Sequence, residues 1–180
     1  MADTHDDAQP LGLSAKLLAL LRLRRDSDGF IPSARDVSEA TRQEGRRKPD
    51  LSHGQCNSLM NGTSSNPTTA TVAALAQALG APAAFLLPGP EWDDLTALTV
   101  YAERPEARQA LRLMQGLEVQ DILEISKKLR EMRRRAGLSE DVPPIPPPPP
   151  GVDQPREGRP RRRLSTEEAA ERAADYLEGR

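Results

Sequence analysis

The stretch that decides the fold is SARDVSEATRQEGRRKPDLSHGQCNSLMNGTSSNPTTATVAALAQALG, residues 33–80. Its apolar residues recur at helical rather than strand spacing: Val37 and Ala40, then Cys56 and Leu59, then Val72, Leu75, Ala76 and Leu79. Punctuation separates three helices. Ser33 with Asp36 makes a capping box for the first, with Asp in place of the stronger Glu. Ser52 caps the second, and Asn61-Gly62 closes it with a left-handed C-terminal signal. Asn66-Pro67 makes a turn, Thr68 or Thr69 caps the third, and Gly80 stops it. Between the first two helices lies a polar stretch, Gln43 to Asp50, holding Gly45 and Pro49.

Working outward, Leu13, Leu17, Leu20 and Leu21 predict a preceding helix, with Ser14 as its cap and DSDG ending it near Arg25. Pro82 opens a short helix ending at Leu86–Leu87. Pro88-Gly89-Pro90 marks a boundary. Beyond it, Trp92, Leu95, Leu98 and Val100 or Tyr101 predict one helix. Pro105 starts another, carrying Ala107, Leu111 and Met114. A long helix over 118–135 then carries Val119, Ile122, Leu123, Ile125, Leu129 and Met132, and Gly137 ends it.

Residues 139–164 read as a spacer: nine of the chain's 17 prolines lie between Pro143 and Pro160. Such a segment favours polyproline II and lacks the residues for a core. Arg159, Arg161, Arg162 and Arg163 follow, and Ser165 with Glu168 caps a thin amphipathic helix. The expected organisation is a disordered 1–10, a compact unit over 11–88, a helical region over 91–138, a linker over 139–164 and a terminal helix over 165–180.

Composition agrees with an all-α fold. Hydrophobic residues make up 37% of the 180 positions but aromatics only 3%, so Ala and Leu carry the apolar content. The single cysteine, Cys56, excludes an internal disulfide and fits a reducing compartment; three positions before Leu59, it reads as a core residue. The acidic N-terminus lacks a signal-peptide pattern, and no apolar run approaches the roughly 20 residues that span a bilayer. A cytoplasmic protein is expected. The sequence holds no nucleophile elbow, phosphate-binding glycine loop or paired-carboxylate motif, and its two histidines, His5 and His53, have no Cys or carboxylate set around them. An enzyme, a metal site and a cofactor are not expected.

The informative feature is the Ser52–Asn61 helix. It carries two strongly inward residues and a surface of His53, Gln55, Asn57 and Ser58, with Gly54 permitting close approach. Donors and acceptors on a short helix are what a major groove of about 12 Å accommodates. The net charge of −2 is the wrong sign for a nucleic-acid binder, but local charge matters more, because exposed charges beyond about 8–10 Å are screened. Arg42, Arg46, Arg47 and Lys48 fall close together beside that helix.

These residues resemble the XRE (lambda-repressor-like) helix-turn-helix family, through SARDVSEA and LSHGQCNSLMNGTSSNPTTATVAALAQALGAPAAFLL. The shared landmarks are Leu59, Gly62, Asn66-Pro67 and the helix over 71–79. The long turn and the helical tail resemble the actinobacterial branch that includes a mycobacterial secretion-system regulator. The resemblance covers residues 11–138. It implies a five-helix DNA-binding unit, a homodimer, double-stranded DNA as partner and a nucleoid-associated transcription regulator. It further implies base reading by Ser52, His53, Gly54, Gln55, Asn57 and Ser58. Phosphate contacts fall on Ser33, Arg35, Asn61, Thr63 and Asn66, with Arg42, Arg46, Arg47 and Lys48 added from the basic turn. Thr63 and Ser64 stand where the family often has a base. Dimer contacts fall on Trp92, Leu95, Leu98, Leu111, Met114, Ile122, Ile125 and Leu129. The rival expectation is a protein-binding adaptor on the same scaffold, suggested by the uncharged helix and by Pro146–Pro150, a candidate ligand for aromatic-lined grooves.

Overall fold

The structure is a computed structural model that describes residues 10–151 and 154–155. The expected N-terminal disorder over 1–10 falls outside it except for Pro10, as do Arg159–Arg163 and the helix over 165–180. The described residues are all-α apart from one two-residue strand contact. The helices are α1 (Leu13–Leu23), α2 (Ala34–Ala40), α3 (His53–Met60), α4 (Thr69–Ala78), α5 (Leu95–Glu103), α6 (Pro105–Met114) and α7 (Val119–Arg135). Phe30–Ile31 (β1) pairs in parallel with Gln154–Pro155 (β2).

The starts of α2, α3 and α4 follow from their caps. Ser33 and Asp36 form a reciprocal box, Ser52 and Gln55 form another, and Thr68 accepts from the Thr71 N–H. Each box satisfies two of the backbone donors that a helix N-terminus leaves unpaired. Gly62, at φ +71°, closes α3 by donating to the Leu59 carbonyl. Two expectations fail locally. Ser14 does not cap α1; Gly12 precedes it without a side-chain cap. The short fifth helix is a 3-10 turn, Ala83–Leu86, because the five residues between Pro82 and Pro88 are too few for an α-helix to propagate.

The core is a single cluster of Leu17, Leu20 and Leu21 from α1, Val37, Leu51, Cys56, Leu59, then Val72, Leu75 and Ala76 from α4 with its C-cap Leu79, closed by Phe85 and Leu86. Leu95 belongs to it, and Leu98 packs against it. The core therefore does not stop at Pro88-Gly89-Pro90: a 3-10 turn (Pro90–Trp92) carries the chain straight into α5, whose first turns are part of the body. An ion pair fixes this junction. Lys16, buried in α1, meets Asp93 at 2.5 Å, donates to the Leu87 carbonyl at 2.7 Å and lies over the Phe85 ring.

The proline segment is not a free spacer over its described part. Thr96 donates its N–H to the Pro144 carbonyl (2.9 Å) and its hydroxyl to the Pro143 carbonyl (2.8 Å). Ile145 packs on the core, and Arg25 donates to the carbonyls of Pro149 and Gly151, both at 2.8 Å. A polyproline II backbone leaves its carbonyls unpaired and outward, which suits it to cap another element's donors. Thr96 is such a donor, in the first turn of α5.

Candidate nucleic-acid interface

α2 and α3 pack against each other, and α1 packs on α3. The 41–52 connection between α2 and α3 is anchored at its far end by two buried hydroxyls. Ser38 donates to the Leu51 carbonyl at 2.7 Å, and Thr41 accepts from the Leu51 N–H at 3.1 Å while donating to the Ser38 carbonyl. Leu51 is thereby held in the core, and α3 begins immediately after it. Neither Ser38 nor Thr41 stands out in the sequence, because a buried hydroxyl in a short helix reads as a surface residue.

With Cys56 and Leu59 turned inward, α3 exposes His53, Gly54, Gln55 and Asn57; Ser58 is half-buried. His53, Asn57 and Asn61 recur every four residues, on one face. Asn61 donates to the Asn57 side-chain oxygen at 3.2 Å, so the exposed Asn57 keeps its amide NH2 as a donor. A Cβ added at Gly54 would meet nothing within 4 Å. Burial pushes the Cys56 thiol above its ordinary pKa, against a smaller opposing backbone hydrogen bond.

Several expected contacts are rearranged. Ser52 and the Gln55 carbonyl oxygen are engaged with each other: Gln55 Oε1 accepts from the Ser52 N–H at 2.9 Å and from its hydroxyl at 3.0 Å. Ser52 is thus a capping residue. Gln55 keeps only its NH2 for a ligand, so it cannot present donor and acceptor together to one base without opening the cap. The signal is legible as Ser-x-x-Gln, a capping box easily hidden by the polar surface it belongs to.

The basic turn is less basic than its composition. Arg42 pairs with Glu39 at 2.6 Å and donates to the Arg47 carbonyl, while Arg46 pairs with Asp50 at 2.9 Å. These two guanidiniums hold the loop's shape. Arg35, Arg47 and Lys48 are exposed and form no ion pair among the described residues. Ser33, half-buried, is committed to its own box with Asp36. Thr63 donates to the Ser58 carbonyl at 3.1 Å, tying down the loop after α3, in which Asn66 is exposed.

The expected dimer residues divide in two. Leu95 is buried and Leu98 packs on the same core, so both serve the monomer; Trp92 is half-buried at the α5 junction. Leu111, Ile122 and Leu129 are exposed, Met114 and Ile125 half-buried, and they lie on helices with no buried residue. More of this region is uncovered than the sequence implies: Leu113 is 72% and Val119 69% exposed.

Among the described residues no group of His, Cys, Asp and Glu could hold a metal ion, and no helix is long and apolar enough to cross a membrane. Comparison with protein-family models, curated proteins and solved structures returned no match.

Proposed function

We propose that the chain is a sequence-specific, double-stranded DNA-binding transcription regulator that acts as a homodimer and places α3 in the major groove. The supporting observation is α3 itself: an eight-residue helix, anchored from within by Cys56 and Leu59, whose outer face is uncharged, polar and unobstructed. His53, Asn57 and the Gln55 amide offer hydrogen bonds suited to base edges. Arg35 on α2 and Arg47 and Lys48 in the loop before α3 are exposed and supply sequence-independent attraction to phosphates. On this reading α1 to α4 form a lambda-repressor-like unit with an extended turn.

Homodimerisation is supported by α6 and α7. Two helices that bury nothing, with Leu111, Leu113, Val119, Leu123, Leu129 and Met132 all exposed, make a surface that soluble monomers avoid. Ile122, Ile125, Leu129 and Met132 follow the 3-4-3 spacing of a coiled-coil seam. Charge along α7 is segregated: Glu118, Asp121 and Glu124 at its start, then Lys127, Lys128, Arg130, Arg133, Arg134 and Arg135 against Glu131 at its end. Antiparallel pairing of two α7 helices about a two-fold axis sets opposite charges together. Two modules then read half-sites about 34 Å apart or a multiple of it.

The second reading, a protein-binding adaptor, draws on the same uncovered apolar surface. A mobility-shift assay with genomic fragments at low and physiological salt separates the two. A retained, sequence-selective complex at physiological salt supports the regulator; no complex even at low salt leaves the adaptor.

A further inference from the structure

The chain between Thr96 and Pro144 forms a closed loop. At its start, Leu95 is buried in the core and Thr96 follows in the first turn of α5. At its end, the Pro144 carbonyl accepts from the Thr96 N–H at 2.9 Å and the Pro143 carbonyl from the Thr96 hydroxyl at 2.8 Å. Ile145 packs on the core directly after this clasp, and Pro146 lines a cleft with Leu20, Leu79 and Leu95. α6 and α7 hang between these two attachments. They bury no residue, and α7 has no closely packed partner among the described helices. The arm they make is therefore not oriented by a core of its own.

Its two joints are braced instead. At the α5–α6 elbow, Arg104 stands in extended conformation between the helices, and Arg108 donates to the carbonyls of Tyr101 and Ala102 at 2.7 and 2.9 Å. Those carbonyls lie in the last turn of α5, where a helix leaves its acceptors unpaired. At the exit from α7, Gly137 turns the chain at φ +70°, Arg133 donates to the Ser139 carbonyl at 2.6 Å, and Arg134 pairs with Glu140 at 3.3 Å. An arm hung on one elbow swings about it. An arm whose far end is also fastened to the body does not.

We infer that the Thr96 clasp, by fastening the α6–α7 arm at both ends, sets the half-site spacing that the homodimer accepts on DNA. This rests on the reading that α3 enters the major groove and that a second copy docks on α6 and α7. With the arm fixed to the body, the two-fold axis fixes the distance and the rotation between the two α3 helices. Both modules then engage together only where the duplex repeats the half-site at that distance and phase. Thr96 is a positioning residue that touches no base.

The test uses the full chain and duplexes carrying two copies of a half-site that the unmodified chain selects from a random pool. Their separation is varied one base pair at a time over a helical turn. Thr96→Val removes the hydroxyl donor, Ile145→Ser loosens the segment beside it, and Thr96→Ser keeps both donors. Circular dichroism and sedimentation verify that the helices and the dimer persist. The unmodified chain and Thr96→Ser should bind the preferred separation about 100-fold more tightly than one displaced by half a turn, about 5 base pairs. In Thr96→Val and in Ile145→Ser that ratio should fall to about tenfold or less, with affinity for a single half-site unchanged. An undiminished ratio in both variants, or an unmodified chain indifferent to separation, overturns the clasp's role and leaves the groove-binding reading intact. A parallel loss of affinity for the single half-site makes the effect a general loss of structure and also overturns it. Failure of the unmodified chain to bind any duplex overturns both readings.

Discussion

Ser38 Oγ lies 2.7 Å from the Leu51 carbonyl oxygen, in a buried setting, and together with the Thr41 hydroxyl on the Leu51 N–H it holds the residue after which α3 begins. With it in place, a 41–52 connection far longer than a tight turn costs the site no definition. Loop closure penalises length only logarithmically, so the ordering falls to the loop's end rather than its length.

Replacing Ser38 by Ala leaves the Leu51 carbonyl buried and unsatisfied, at a cost of about 1–3 kcal/mol. Chemical denaturation should show that loss with an unchanged m-value. Ser38→Thr, which keeps the hydroxyl, should cost less. Equal losses in both would mean that packing, not the bond, matters.

Gly54 gives opposite signs to stability and binding. It is helical, exposed and has nothing within 4 Å of where a Cβ would stand, so Gly54→Ala should stabilise the fold by about 0.5–1 kcal/mol. The same methyl group occupies the surface proposed to approach DNA, so affinity should fall several-fold. Thermal unfolding and a binding isotherm on one sample measure both.

Lys16 and Asp93 make the fold acid-sensitive. Burial alone would raise the Asp93 carboxyl, but hydrogen bonds from Lys16 and the Leu11 N–H, with the Lys16 charge, hold it below its ordinary range. The unfolded chain therefore takes up this proton first, at a pKa of about 3.9. The pair's stabilisation is complete well above that value and is lost as pH falls through the lower folded-state value. Asp93→Asn should destabilise the protein near neutrality by about 3 kcal/mol, since Lys16 is left buried and charged, and should flatten the stability profile below pH 5. An unchanged acid limb would assign acid sensitivity to other carboxylates.

Cys56 is fully buried and its thiol is shifted upward, so a thiol reagent should modify it only as fast as the protein unfolds. Rapid labelling of the native protein would show that α3 detaches from the core locally.

Much of this architecture is legible in the chain because each helix carries its own start and stop signals. The α2 and α4 caps, the Gly62 closure of α3 and the inward pair Cys56 and Leu59 all follow from residue type and spacing. What was not legible depends on groups far apart in sequence. Lys16 reads as a solvated helix residue until Asp93 and Leu87 are brought to it. Pro143 and Pro144 read as spacer until Thr96 supplies donors for their carbonyls. The cations of Arg42 and Arg46 read as available until folding places Glu39 and Asp50 against them. Composition counts charges, but only the folded chain pairs them.

The most direct test of the central claim is a titration of the isotope-labelled full chain with a selected duplex, followed through its backbone amide resonances. Binding should perturb residues 52–61 most strongly, with smaller shifts at Arg35, Arg47 and Lys48, and His53→Ala with Asn57→Ala should abolish sequence preference while leaving the fold intact. Perturbations confined to α6 and α7, or none at any duplex concentration in dilute buffer, would contradict it.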